Sequence, residues 1–132
     1  MANSRPDIQR FIAHLGAQLG VPLNLQDGVC ALNDSAQQQA VVIEVPDHSD
    51  GVILHCRLGG LRPGPNNMQR LLSMNFDVAN LHGCWLALDQ QDVRLCTQHA
   101  LAQLDEQRFC DLVQGFIAQA QATRTELVRV IS

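Results

Sequence analysis

One continuous stretch, from Asn66 to Leu95, constrains the fold more than any other part of the chain. Pro65 precedes it and suits the first turn of a helix, where a missing backbone N–H costs nothing. Apolar residues then recur at three- and four-residue spacing and form two neighbouring stripes. The first stripe contains Met68, Leu71, Leu72, Phe76 and Ala79, and the second contains Met74, Val78 and Leu81. Because this apolar arc is wider than one packing surface needs, we expect the helix to be sandwiched or to meet a partner.

The same stretch continues as a β-hairpin. After Gly83 the residues alternate, so that Cys84, Leu86 and Leu88 share one face while Trp85 and Ala87 share the other. The polar run 89–92 predicts a turn, and alternation resumes from residue 93. Apolar alternation on both sides of a short polar turn is typical of two antiparallel strands.

Helix signals frame both ends of the chain. The apolar spacing predicts a first helix over about 5–19, with Ser4 as its N-cap and Gly20 as a left-handed C-cap. Asp105 is the expected cap of the last helix, which carries an apolar stripe that includes Phe109 and Phe116. The apolar residues from 127 to 131 either extend this helix or form a separate tail segment.

Between the first helix and the central stretch, three runs alternate like strands, at roughly 28–33, 39–45 and 51–58. Turn-forming residues separate them, at 33–35 and 46–51, and a loop over 59–65 follows. The element order α-β-β-β-α-β-β-α predicts an α+β fold, with an antiparallel sheet of about five strands and three helices. A chain of 132 residues is expected to form a single domain, 1–132.

Charge and composition argue against nucleic-acid and membrane partners. The net charge is −4, the nine arginines are scattered, and there is no lysine. Only five aromatic residues occur, too few for a series of stacking platforms. No apolar run is long enough to span a bilayer, and residues 1–6 contain no apolar signal segment. We therefore expect no nucleic acid, no membrane and a cytoplasmic location.

The sequence also predicts neither a catalytic nor a metal site. The five cysteines are widely spaced within apolar segments, which is typical of reduced, buried thiols. His55 and Cys56 are adjacent on a strand, and Cys96 and His99 are three apart, so both pairs are expected to point to opposite faces. The glycine loop from Gly59 lacks the Lys of a phosphate-binding loop. We expect no enzyme activity, no cofactor and no metal.

The central stretch together with the last helix resembles the Tir chaperone (CesT-like) family of type III secretion chaperones. The resemblance lies in the helix that ends at Leu81 and Gly83, the hairpin over 86–95, and the start of the last helix at Leu104 and Asp105. It covers most of the chain and is a pattern of apolar spacing. It implies a cytoplasmic homodimer of a Gram-negative bacterium, connected with virulence, that binds the N-terminal non-globular segment of a secreted effector. Binding would keep that segment soluble and export-competent without any chemistry by the chaperone.

The resemblance also suggests two surfaces. The dimer interface is expected on the central helix and the outer face of the hairpin, at Leu71, Met74, Val78 and Trp85. The effector grooves are expected between the first helix and the sheet, at Ile8, Phe11, Leu15, Leu32, Ile43 and Leu54. Plain core packing is an alternative for these six residues, and the better one for Ile43 and Leu54. On the groove interpretation, Phe11→Asp abolishes effector binding and leaves a folded dimer.

Two other functions stay open. A protein of the same fold could sequester a non-secreted partner as a regulator, which co-purification would distinguish from an export chaperone. A small thiol enzyme is the other alternative. Its thiolate would react fast at neutral pH, whereas buried cysteines react only after denaturation.

Overall fold

The structure is a computed structural model that describes residues 5–33 and 39–132. The expected cap at Ser4 lies outside the described residues, as does most of the expected turn at 33–35. Two layers make up the fold: a five-stranded antiparallel sheet, and helices packed on it. This confirms the α+β class and the predicted order of the long elements. The bounds are α1 (Arg5–Leu19), β1 (Val29–Asn33), β2 (Gln39–Glu44), β3 (Gly51–Gly60), α2 (Asn67–Phe76), α3 (Val78–Leu81), β4 (Trp85–Asp89), β5 (Asp92–Ala100) and α4 (Glu106–Glu126).

The first helix ends as its sequence predicts. Gly20 adopts a left-handed conformation with φ of 73°, which a residue with a Cβ rarely tolerates. The Val21 N–H then donates to the Gly16 carbonyl at 3.0 Å. This is the bonding pattern of a Schellman motif, which satisfies a carbonyl at the end of the helix.

The sheet has the order β1-β2-β3-β5-β4, so β3 is its central strand. β3 and β5 form the longest pairing, from Gly51 opposite Ala100 to Gly60 opposite Asp92. The predicted loop over 59–65 is wrong at its start, because Gly59 and Gly60 still belong to β3. β5 and β4 form the hairpin predicted from the alternating residues.

One face of the sheet and the inner faces of α1 and α4 enclose the core. The inward residues of the strands are those that share a face in the sequence, such as Ile43, Leu54 and Leu95, each with no exposed surface. Between the two helices the rings of Phe11 and Phe109 stack, with centroids 5.6 Å apart. The opposite face of the sheet is more polar, and there His55 contacts Glu44 at 3.0 Å.

The predicted central helix is interrupted, which corrects the expectation of one continuous helix. α2 ends at Phe76, and Asp77 has a non-helical backbone with ψ of 72°. The Asp77 side chain instead accepts a hydrogen bond from the Asn80 N–H and caps α3. An acidic side chain competes well for free N–H groups, so the chain restarts a helix in a new direction rather than continuing the first one.

The C-terminal segment after α4 folds back onto the sheet. Asp105 caps α4 as predicted, accepting from the Arg108 N–H at 2.7 Å. Beyond Glu126 the chain turns, and Ile131 forms an isolated bridge with Leu61. The apolar residues from 127 to 131 therefore form a separate segment, and Leu127, Val130 and Ile131 are buried.

The C-terminal segment packs beside an irregularity in β3. The register between β3 and β5 shifts between Arg57 and Gly59, which is where a β-bulge frees backbone carbonyls. The Arg124 guanidinium from α4 donates to the Leu58 carbonyl at 3.0 Å and to the Arg57 carbonyl at 2.9 Å. Helix, bulge and C-terminal segment are thus joined at one place.

Gly59 leaves no room for a larger side chain at this junction. A Cβ at Gly59 would stand 2.6 Å from the Ser132 carbonyl oxygen. We expect Gly59→Ala to lower the free energy of unfolding by about 1–3 kcal/mol, because the C-terminal segment must shift. Gly115 on α4 is the matched control, since a Cβ there meets nothing within 4 Å. Gly115→Ala should raise stability by about 0.5–1 kcal/mol through helix propensity. Urea denaturation measures both, and equal effects of the two changes would contradict this account.

Candidate functional site

The outward backbone groups of the two edge strands, β1 and β4, show where another strand could pair with the sheet. β1 is one edge, and β2 is its single strand neighbour in the described part of the chain. The Val45 N–H donates to the Gly28 carbonyl, while the N–H and carbonyl of Val29 bond Gln26 instead. Because backbone groups alternate along an antiparallel strand, Ala31 should point its N–H and carbonyl away from β2, like Val29. The β1 edge therefore offers backbone groups for pairing at Ala31.

The β4 edge is occupied by a side chain. The Asn75 amide of α2 donates to the Leu86 carbonyl at 3.1 Å and accepts from the Leu86 N–H at 2.7 Å. An amide group that makes both bonds imitates the backbone of a neighbouring strand. Exposed edges invite unwanted pairing, and covering them is a common protection. By the same alternation Leu88 should also point its backbone groups outward, so Asn75 covers the β4 edge at Leu86 and not along its whole length.

Exposed apolar side chains are concentrated on α2, and others lie on α3 and β4. Phe76 is 91% exposed, Val78 70% and Leu72 67%, and Met68, Trp85 and Leu88 are exposed as well. We call this the α2 apolar surface. Single exposed apolar residues are ordinary, but several on one element are typical of an interaction site.

The residues predicted for the dimer interface divide between core and surface. Leu71 is buried and faces the interior, and Met74 is partly buried against the core. Val78 and Trp85 are exposed and belong to the α2 apolar surface. The exposed part of the predicted first stripe, Met68, Leu72 and Phe76, was not assigned to the interface. These three residues, Leu71 and Met74 all lie on α2 before Asp77, so the packing of α2 against its neighbours, and not the break, decides which of them are exposed.

The six residues predicted to bind the effector all lie in the core. Their exposed fractions are 0% for Ile8, Leu15, Ile43 and Leu54, 2% for Phe11 and 9% for Leu32. They come together, as predicted, between α1 and the sheet, yet they present almost no surface to a partner. Their role in binding stays a prediction. Phe11→Asp is no longer expected to leave a folded protein, because it would place a carboxylate against the Phe109 ring.

The cysteine thiols are free, and burial raises the pKa of all five. For Cys56 burial raises the pKa to about 11, although the nearby Arg124 and Arg94 partly oppose this. Burial is also the leading cause of the raised pKa of Cys30, Cys84, Cys96 and Cys110. A thiol nucleophile needs a lowered pKa, so these environments disfavour the thiol-enzyme alternative.

Two histidines and one cysteine line the same cavity, but they are not arranged like metal ligands. Thr97 and His99 line a small cavity beside α4, together with His82 and Cys84. Cys96 points to the other face of β5, opposite His55, as expected from the spacing. Within residues 5–33 and 39–132, no three His, Cys, Asp or Glu side chains are grouped so that they could hold a metal ion. Nor does any helix in these ranges have the length and apolar character needed to cross a membrane.

Together, the described elements define a two-layer α+β protein with outward backbone groups on its edge strands and exposed apolar residues on α2. The chain belongs to the Tir chaperone protein (CesT) family, whose model matches residues 10–124. This confirms the family resemblance seen in the sequence. No curated protein sequence matches the chain significantly.

Solved structures share the fold at low sequence identity. A chain of the ExsC-ExsE complex matches with a TM-score of 0.77 and 18% identity, covering 98% of this chain and 97% of that one. A chain of the ExoU-SpcU complex from the type III secretion system of Pseudomonas aeruginosa has a TM-score of 0.68 and 19% identity, covering 95% and 98%. A chain of the HopA1-SchA chaperone-effector complex has a TM-score of 0.65 and 16% identity, covering 89% and 98%. At such identities the likeness concerns the fold alone.

The raised pKa of Cys56 predicts a specific alkaline destabilisation. The unfolded thiol ionises near pH 9, while the folded thiol keeps its proton up to about 11. The protonated Cys56 thiol therefore contributes fully to the free energy of unfolding below pH 9, and this contribution is lost as the pH rises from about 9 to 11. Cys56→Ala should have a lower free energy of unfolding than the wild type at pH 7. Over this pH range its free energy of unfolding should fall by about 2–3 kcal/mol less than that of the wild type. Urea denaturation with a reductant at several pH values tests this, and parallel curves for both proteins would contradict it.

Proposed function

We propose that the protein is a cytoplasmic type III secretion chaperone that binds a secreted effector and has no enzyme activity. The observation that carries the proposal is the match of the family model across residues 10–124. Further support comes from the similar structures, since HopA1-SchA is a chaperone-effector complex and ExoU-SpcU belongs to a type III secretion system. The raised thiol pKa values disfavour the alternative enzyme.

The β1 edge is the first contact that we propose for the effector. A non-globular segment of the effector, at its N-terminus, would add a strand beside β1 through backbone hydrogen bonds. Cys30 and Leu32 face the core from this strand, so apolar side chains of the effector could continue the layer under α1. Backbone pairing needs little sequence specificity. The bound segment would be kept extended, soluble and ready for export.

The six residues predicted to bind the effector take an indirect role in this proposal. They form the packed layer between α1 and the sheet, and the added strand would lie beside this layer. The direct contacts would come from the outward backbone groups of β1 and from the surface at its rim. Ala31 is exposed on the polar face of the sheet and is the best position at which to test this.

Replacing Ala31 tests strand addition directly. Ala31→Pro removes an N–H that points away from β2, a position at which an edge strand tolerates proline. We expect the variant to fold and to lose effector capture in a co-expression pull-down, while Ala31→Thr retains it. Capture by a folded Ala31→Pro variant would overturn strand addition at this edge. If the variant does not fold, hydrogen exchange in the wild type decides, because effector binding should protect the Ala31 amide.

We further propose that the chain forms a homodimer through the α2 apolar surface. An isologous pair would cover Leu72, Phe76 and Val78, whose exposure to water is otherwise unfavourable. The surface lies beside the β4 edge, which Asn75 covers at Leu86. A helix-to-helix contact is therefore favoured over the joining of two sheets at this edge.

A charged residue on this surface should separate the protomers. We expect light scattering after size-exclusion chromatography to give twice 14.5 kDa for the wild type and 14.5 kDa for Phe76→Glu. Phe76 is 91% exposed, so the change should leave the fold of each protomer intact. Val21→Glu is the matched control, because Val21 is exposed outside this surface. The Val21→Glu variant should stay dimeric. A monomeric wild type, or a dimeric Phe76→Glu variant, would contradict the proposed interface.

A further inference from the structure

Two arginine side chains with no partner in residues 5–33 and 39–132 line the same groove. The groove lies between α2 and the segment after α4, and Arg70 and Arg129 stand on its two sides. Its volume is about 640 Å³, within the range typical of ligand sites. Met74, Leu127 and Val130 supply its apolar part.

The other arginines differ from these two. The structure describes the side chains of all nine arginines except Arg5. Six of the eight described have a carboxylate, carbonyl, amide or imidazole partner: Arg10, Arg57, Arg62, Arg94, Arg108 and Arg124. Arg70 and Arg129 have no side-chain partner among the described residues. In an acidic protein with no lysine, two uncommitted cations beside one apolar groove point to an anionic ligand.

The acidic residue at the groove does not neutralise them. Glu126 lines the groove, but its carboxylate accepts a hydrogen bond from the Asn80 side chain at 2.9 Å. This hydrogen bond leaves the charge of Glu126 in place, so the lining carries two positive charges and one negative charge, a net positive charge beside apolar side chains. A ligand that fits must carry negative charge and an apolar group together.

This groove is separate from the α2 apolar surface. Asn66, Gln69, Arg70, Ser73 and Met74 face the groove, whereas Met68, Leu72 and Phe76 are exposed elsewhere on the helix. At 3.6 residues per turn, these two faces are centred roughly 130° apart. A dimer through the α2 apolar surface would therefore leave the groove accessible.

We propose that this groove is a second peptide-binding site, specific for a segment in which acidic residues flank apolar ones. Each guanidinium would donate to a carboxylate, and an apolar side chain between the carboxylates would enter the groove. The apolar lining distinguishes such a peptide from a bare phosphate, which would gain nothing from it. The site goes beyond the proposed capture of an effector strand at β1.

Labelled peptides test whether the groove requires acidic residues in its ligand. The probe is a short fluorescein-labelled peptide in which Asp and Leu alternate, compared with one in which Lys replaces Asp. Fluorescence anisotropy with the full-length chain should show binding of the Asp peptide only. Arg70→Glu and Arg129→Glu should each weaken it, and together by about fivefold or more, since exposed charge pairs contribute modestly. The double variant should gain affinity for the Lys peptide.

Two control variants distinguish binding in this groove from binding elsewhere on the protein. Arg108→Glu makes the same charge change at an arginine that is remote in sequence from the groove-lining residues and 73% exposed, so Asp-peptide binding should persist. Ala31→Pro should also retain it, which distinguishes the groove from strand addition at β1. Loss of binding in Ala31→Pro, with no effect of Arg70→Glu, would assign the peptide to the sheet edge and overturn the proposal.

Three further results would overturn it. One is equal binding of the Asp and Lys peptides, or binding of neither. Another is full displacement of the Asp peptide by an equal concentration of tripolyphosphate, because the site would then recognise charge alone. The last is a change of mass on light scattering for Arg70→Glu, which would identify the groove as an interface between copies of the chain.

Discussion

The burial of one sheet face beneath α1 and α4 is the constraint on which the rest of the structure depends. The Phe11 and Phe109 rings stack between the two helices, and the inward side chains of β3 and β5 lie beneath. Because this core is closed, the surfaces left for partners are the strand edges, the outer sheet face and the elements at the periphery. The proposed functions all lie on such surfaces.

Different groups cover the two edge strands of the sheet. On β4 the side chain of Asn75, from α2, covers Leu86 with a pair of hydrogen bonds, whereas on β1 the neighbouring Gln26 backbone covers Val29 and leaves the outward groups of Ala31. This asymmetry would direct an extended client to one edge and leave the opposite side to α2. It is a physical reason why one small domain could bind a client and a second protomer without competition between them.

Much of the fold could be predicted from local signals. The bounds of α1, the left-handed Gly20, the hairpin and the Asp105 cap each depend on a few neighbouring residues, and the structure has them where the sequence predicts. The break at Asp77 was missed, because an apolar periodicity continues through it and a single capping carboxylate leaves little trace in such a pattern. The left-handed C-cap at His82 was missed, because Gly is the residue that a sequence pattern associates with this position.

The element order, the inward and outward faces of the strands, and the family could all be inferred from the sequence, since these follow from periodicity and apolar spacing. Only the tertiary structure decided which apolar residues are accessible: Phe11 and Leu71 are buried, while Leu72 and Phe76 are exposed. It alone brought Asn75 to the β4 edge, and Arg70 and Arg129 to one groove. The physical reason is that periodicity defines which face of an element is apolar. Whether that face meets the core, solvent or another chain depends on the neighbouring elements, which are distant in sequence.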